Sequence, residues 1–94
     1  MIATILAIGL GFWLNISLVE WAILSITITG VWAAESFNTA IEAAVDLSSP
    51  QLHPLAKIAK DAAAAGVLFT AIGAVAVGLA LFGPPFIEKI AKIF

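Results

Sequence analysis

The chain has 94 residues, of which 63% are hydrophobic and 11% charged, with a mean hydropathy of +1.16 and a formal net charge of −2. So short a soluble domain has too little interior to hide that much apolar surface, and the fold class expected is an all-α membrane protein. The sequence has no Cys, which excludes a disulfide framework, a thiolate metal site and a thiol nucleophile, and no Arg or basic patch, which excludes nucleic acid as a partner.

The first apolar segment runs from Ile2 to about Ile16, with Trp13 as an interfacial anchor near its end. At about 1.5 Å per residue it falls a little short of the ~30 Å hydrocarbon core. Met1 is followed at once by "IATILAIGLGFWL" without a basic stretch, so no cleavable signal peptide is expected. A second helix is expected over 18–47, apolar through Ala34 and then running without a breaker into "ESFNTAIEAAVD". "LSSPQLHP", Leu47 to Pro54, is the one convincing loop. A third helix is expected over 54–82, with Lys57, Lys60 and Asp61 in its first turns and an Ala/Gly-rich remainder. Ala74 and Gly78 form a small-xxx-small pair that lets helix backbones approach closely in lipid. "GPP", Gly83 to Pro85, is expected to stop this helix, and residues 86–94 then read as a short C-terminal amphipathic surface helix with Glu88, Lys89 and Lys92 outward. The organisation is a single membrane domain, residues 1–94, with three transmembrane helices.

The polar stripe carries the functional reading. At about 100° per residue, Glu35, Asn38, Thr39, Glu42 and Asp46 fall in one sector of a helix. Lys57, Lys60 and Asp61 share a face of the third helix, so antiparallel packing sets a carboxylate edge against a Lys-Asp edge near the membrane boundary. Helix ends protruding into water account for Asp46 and Glu42, but poorly for Glu35, which adjoins the apolar run. Ionisable groups at such a depth are costly, and function is the default reading.

A carboxylate in apolar surroundings has its charged form disfavoured and serves as a general base. A second carboxylate a turn or two away suits Mg²⁺, a hard cation that usually arrives with nucleotide phosphates. A lysine across the gap neutralises charge on a transferred phosphoryl group. Together these groups point to phosphoryl transfer to a lipid hydroxyl. No Gly-rich phosphate loop is present, which excludes the common soluble kinase designs.

"ESFNTAIEAAVDL" followed by "HPLAKIAKDAAAAGVL" resembles the prokaryotic diacylglycerol kinase and undecaprenol kinase family of small integral-membrane lipid kinases. Its signature, E-x-x-N-[ST]-A-I-E-x-x-V-D, then a loop His and A-K-D, is matched at Glu35, Asn38, Thr39, Ala40, Ile41, Glu42, Val45, Asp46, His53, Lys60 and Asp61. "LAKIAKD" and Thr39 look more like the undecaprenol kinase and cyanobacterial branches.

The resemblance implies ATP- and Mg²⁺-dependent phosphorylation of a membrane lipid alcohol, undecaprenol or diacylglycerol, in a bacterial inner membrane with the active face cytoplasmic. It implies Glu35 as catalytic base and Glu42 as metal ligand through Mg²⁺ on the ATP phosphates. Asn38, with Thr39 and Asp46, supports the site. Lys60 and Asp61 contact the nucleotide, His53 lies where the loop approaches ATP, and Trp13 matches a lipid-contacting position. It further implies a homotrimer with sites shared between subunits, which agrees with the small-residue faces.

One departure stands out. Family members carry an N-terminal surface helix that supplies an Arg and a further metal-binding Glu, whereas this sequence begins past that point and has no Arg. Truncation of a longer kinase is the expectation, since the remaining catalytic positions are retained; a shortened relative that has lost catalysis is the alternative. A non-catalytic accessory subunit of a larger membrane complex would need only the packing faces. An ion-translocating ring subunit would instead place a lone carboxylate mid-span between two hairpin helices.

Overall fold

The computed structural model describes residues 1–48 and 53–94. Three helices follow in order: α1 (Ile2–Leu14), α2 (Leu18–Ser48) and α3 (Pro54–Ile93). No strand occurs among the described residues. The middle of the Leu47 to Pro54 loop expected from the sequence lies outside them.

α1 is 13 residues long, about 20 Å. It stops at Leu14 rather than at Ile16 because Asn15 turns left-handed, at φ 52° and ψ 52°. Asn is among the few residues that enter this region at little cost. The backbone N–H groups of Asn15 and Ile16 then return to the carbonyls of Phe12 and Gly11. α2 begins with a reciprocal cap: Ser17 N–H donates to Glu20 Oε1 at 3.0 Å, and Glu20 N–H donates to Ser17 Oγ at 3.1 Å. This capping box satisfies two donors that a helix start otherwise leaves bare.

α3 corrects the sequence expectation. The helix expected to stop at Gly83 to Pro85, and the separate surface helix over 86–94, are one continuous 40-residue helix with Pro84 and Pro85 inside it. Each proline removes one i→i−4 hydrogen bond. Gly83 has no Cβ to clash with the ring of Pro84, which eases helical geometry at the position before a proline. Beyond the prolines, tertiary contacts take over. Phe86 meets Trp13 edge-to-face at 5.9 Å between ring centroids, and Lys89 Nζ donates to Trp13 O at 2.6 Å. Lys89 also lies 4.6 Å from the centroid of the Trp13 ring. The end of α3 is therefore held against the end of α1 instead of lying free.

α2 and α3 form the principal antiparallel pair, with α1 against α3. Gly11 seats α1 on α2: a Cβ there would meet Trp21 Cη2 at 2.6 Å, so only glycine admits the indole. The Trp21 ring also packs on Phe12 at 4.9 Å. Toward the other end of α1, Trp32 Nε1 donates to Thr4 Oγ1 at 3.1 Å.

The result is a rod of 59 × 20 × 19 Å in which, among the described residues, the buried apolar side chains are only Ile16, Leu24 and Leu81. Large apolar side chains from Ile2 to Phe94 face outward instead. In water that surface would be untenable; in hydrocarbon it is the normal exterior. α2 and α3 are long and apolar enough to cross a membrane, while α1 is a shorter apolar helix.

Candidate active site

The stripe folds as one helical edge because α2 is unbroken from Leu18 to Ser48. Thr39 Oγ1 donates to Glu35 O at 3.0 Å, so the hydroxyl is spent on its own helix and sits on the Glu35 turn. Glu35, Thr39, Glu42 and Asp46 are all exposed on the chain, and Asn38 is half-buried. The Oδ1 atom of Asn38 is enclosed and has no hydrogen-bond partner among the described residues. An enclosed acceptor without a donor is costly, and it marks this turn as a place where a further donor is wanted.

α3 brings the opposing charge. Lys60 Nζ reaches Asp46 Oδ1 at 2.5 Å across the interface, and the Glu42 carboxylate also acts on Lys60 electrostatically. Lys57 pairs with Asp61 one turn along α3, at 2.7 Å. The antiparallel register fixes these meetings, since a helix that lines up Leu24 with Leu81 also lines up Asp46 with Lys60.

His53 caps α3: its Nδ1 accepts from Leu55 N–H at 3.1 Å, and Pro54 occupies the first helical position, where a missing N–H costs nothing. The Nε2 edge of this exposed imidazole is not used in the cap. Beside it, a groove of about 460 Å³ runs between Ala44, Val45 and Ser48 of α2 and Leu55, Ala56 and Ala59 of α3.

Of the residues singled out in the sequence, Glu35, Asn38, Thr39, Glu42, Asp46, His53, Lys60 and Asp61 lie on the α2–α3 hairpin toward its loop end. Trp13 does not join them: it sits at the far end of the rod, on Phe86 and Lys89. Glu35 is not enclosed by its own chain, so any desolvation of its carboxylate comes from lipid or from another surface. Sequence reasoning missed the Trp13–Lys89 contact, because nothing local links positions so far apart. It also passed over the Ser17–Glu20 cap, whose S-x-x-E spacing was readable.

No cluster of three or more His, Cys, Asp or Glu side chains forms a ready metal cage among the described residues. Mg²⁺ seldom needs one: it keeps several waters and takes one or two carboxylates together with substrate phosphates. Glu42 fits that role, as an exposed carboxylate with no ion pair among the described residues, whereas Asp46 is engaged by Lys60.

The chain is thus an apolar three-helix rod whose acidic α2 edge meets a lysine of α3 toward the loop end. Residues 1–82 match the family model described as prokaryotic diacylglycerol kinase, and the chain belongs to that family. Over 74 residues it is 46% identical to an undecaprenol kinase of Bacillus subtilis (strain 168), covering 79% of this chain and 60% of that protein. Over 76 residues it is 46% identical to a diacylglycerol kinase of Synechocystis sp., covering 80% of this chain and 43% of the relative. A diacylglycerol kinase of Escherichia coli (strain K12) is 35% identical over 74 residues, covering 79% of this chain and 61% of that one. The match thus spans 43 to 61% of the length of these curated relatives. No solved structure matches the chain significantly.

Proposed function

We propose that this chain carries the catalytic edge of a membrane lipid kinase, which phosphorylates undecaprenol or diacylglycerol with ATP and Mg²⁺ at the cytoplasmic membrane surface. The observation that carries the reading is the hairpin geometry: Glu35, Asn38 and Glu42 share one edge of α2, while Asp46 draws Lys60 of α3 to the same end. The names of the relatives supply the two acceptor lipids.

In this mechanism the Glu35 carboxylate accepts the proton of the lipid hydroxyl. The hydroxyl oxygen forms a new bond to the γ-phosphorus of ATP as the bond from that phosphorus to the β,γ-bridging oxygen breaks, and ADP leaves. Asn38 orients the acceptor and the γ-phosphate through its amide. Lys60, drawn off Asp46, neutralises charge on the transferred group, and Asp61 and the free edge of His53 contact the nucleotide. Glu42 is the residue that would hold Mg²⁺, and the ion would supply charge neutralisation for the nucleotide phosphates. α1 completes a third span, and a homotrimer places a neighbour's surface over the exposed Glu35 edge.

Transfer of labelled phosphate from ATP to undecaprenol and to dioleoylglycerol in mixed micelles tests the reading. The assay uses the chain alone and the chain preceded by the N-terminal surface helix of the Bacillus relative. Phosphorylated lipid in either form, lost on Glu35→Gln, is the expected result. Absence of product from both forms, with ATP bound normally, would overturn it in favour of a non-catalytic accessory role.

A further inference from the structure

The chain has four lysines, and it treats them in two ways. Lys57 and Lys60, at the loop end, are neutralised by Asp61 and Asp46. Lys89 and Lys92, at the opposite end, have no carboxylate partner among the described residues. They lie one turn apart on one face of α3 and, with Leu14, Pro85 and Glu88, line a cleft of about 260 Å³. Lys89 is anchored there, donating to Trp13 O and lying over the Trp13 ring, with two of its three N–H donors left over. Glu88 forms one wall but pairs with neither lysine, so the cleft keeps a net positive charge.

The height of this cleft matters. Lys60 and Lys89 stand about 43 Å apart along α3 at 1.5 Å per residue. A bilayer with its headgroups is about 40–45 Å thick. With Lys60 at one membrane surface, the Lys89–Lys92 cleft lies at the headgroup level of the other, where Trp13 and Trp21 also belong as interfacial aromatics. Two uncompensated ammonium groups beside an indole, at that depth, meet the phosphates of lipids before anything else. The cleft also lies mostly beyond residues 1–82, the part that matches the family model, so the family resemblance does not account for it.

We propose that the cleft between Lys89, Lys92 and the end of α1 binds the headgroup phosphate of an anionic phospholipid in the leaflet away from the candidate active site. Lys92 supplies the free charge, Lys89 bridges the phosphate to the Trp13 carbonyl, and the bound lipid pins the short α1 to the interface.

The test is native mass spectrometry of the full chain released from zwitterionic micelles, titrated separately with phosphatidylglycerol, phosphatidylcholine and inorganic phosphate. With each lysine worth about fivefold at a membrane surface, phosphatidylglycerol should bind about 25-fold more tightly than phosphatidylcholine. Inorganic phosphate should neither bind measurably nor compete. Lys92 makes no contact that the fold depends on, so Lys92→Gln should keep full helix content by circular dichroism and cut the preference about fivefold, and Lys92→Arg should restore it. Equal binding of the two lipids would overturn the proposal. So would a preference unchanged in Lys92→Gln, and so would binding of inorganic phosphate as tight as that of phosphatidylglycerol, which would make the cleft a free-anion site.

Discussion

Lys60 of α3 holds Asp46 of α2 at 2.5 Å and leaves Glu42, one turn earlier on α2, without an ion pair among the described residues. Two carboxylates on one helix edge are thereby given different fates. Asp46 closes the interface, and Glu42 stays open to a cation or a phosphate-bound metal.

The first prediction follows from that division. Glu42→Gln should raise the Mg²⁺ concentration needed for half-maximal lipid phosphorylation far more than Asp46→Asn does. Asp46→Asn should act mainly on the α2–α3 contact. Both side chains of the pair are substantially exposed, 41% for Lys60 and 65% for Asp46, so water screens the attraction and the coupling in a double-mutant cycle should be weak. Equal shifts in Mg²⁺ dependence from the two substitutions would count against Glu42 as the metal ligand.

Glu35→Gln keeps the shape of the side chain but cannot take a proton. Turnover should fall by about 10²–10⁴-fold, the usual contribution of a general base, while ATP affinity and oligomeric state stay near those of the parent. Measuring lipid phosphorylation and ATP binding on the same purified sample decides it. Turnover within a few-fold of the parent, or ATP binding lost along with it, would remove Glu35 from the role of base.

Two glycines of α1 should respond oppositely to the same change. Gly11→Ala drives a methyl into the Trp21 ring, whose atoms lie 2.6 to 3.1 Å from the new Cβ, and the ring cannot swing aside without leaving Phe12. A loss of about 1–3 kcal/mol is expected. Gly9→Ala meets nothing within 4 Å and should be neutral or slightly stabilising. Thermal unfolding in detergent reads both, and similar effects at the two positions would mean that Trp21 does not seat on Gly11.

The end of α3 should depend on Trp13. An aromatic pair contributes about 0.5–1.5 kcal/mol beyond its burial, so Trp13→Ala should speed amide exchange over residues 86–93 by up to about tenfold. Residues 54–80 should be little changed. Uniform protection along the whole of α3 in the variant would place the support for this segment elsewhere.

These contacts also explain what was readable from the sequence. Apolar run lengths gave the three helices and their order, and the 100° spacing gave the acidic edge, because both depend only on local periodicity. The i,i+4 pair of Lys57 and Asp61 is local in the same sense. The continuation of α3 through Pro84 and Pro85 was not readable. Local chemistry says stop there, and the opposing contacts come from Trp13, at the other end of the sequence. Asn38 is a mixed case: its place on the edge follows from spacing, whereas the enclosure of its Oδ1 was not readable from that spacing. The exposure of Glu35 was likewise hidden, since apolar neighbours in sequence say nothing about which way a helix face points.

The turn between α1 and α2 bears on how the protein enters its membrane. Asn15 and Ile16 return their N–H groups to α1, and Ser17 and Glu20 cap each other, so the corner arrives with much of its backbone already satisfied. α1 by itself is too short to partition stably across a bilayer. Joined to α2 through a closed corner, with Trp21 lodged against Gly11, it enters as the lighter arm of a helical hairpin. The corner and the indole seat thus tie α1 to α2 as one unit, so loosening either contact should be felt by both helices.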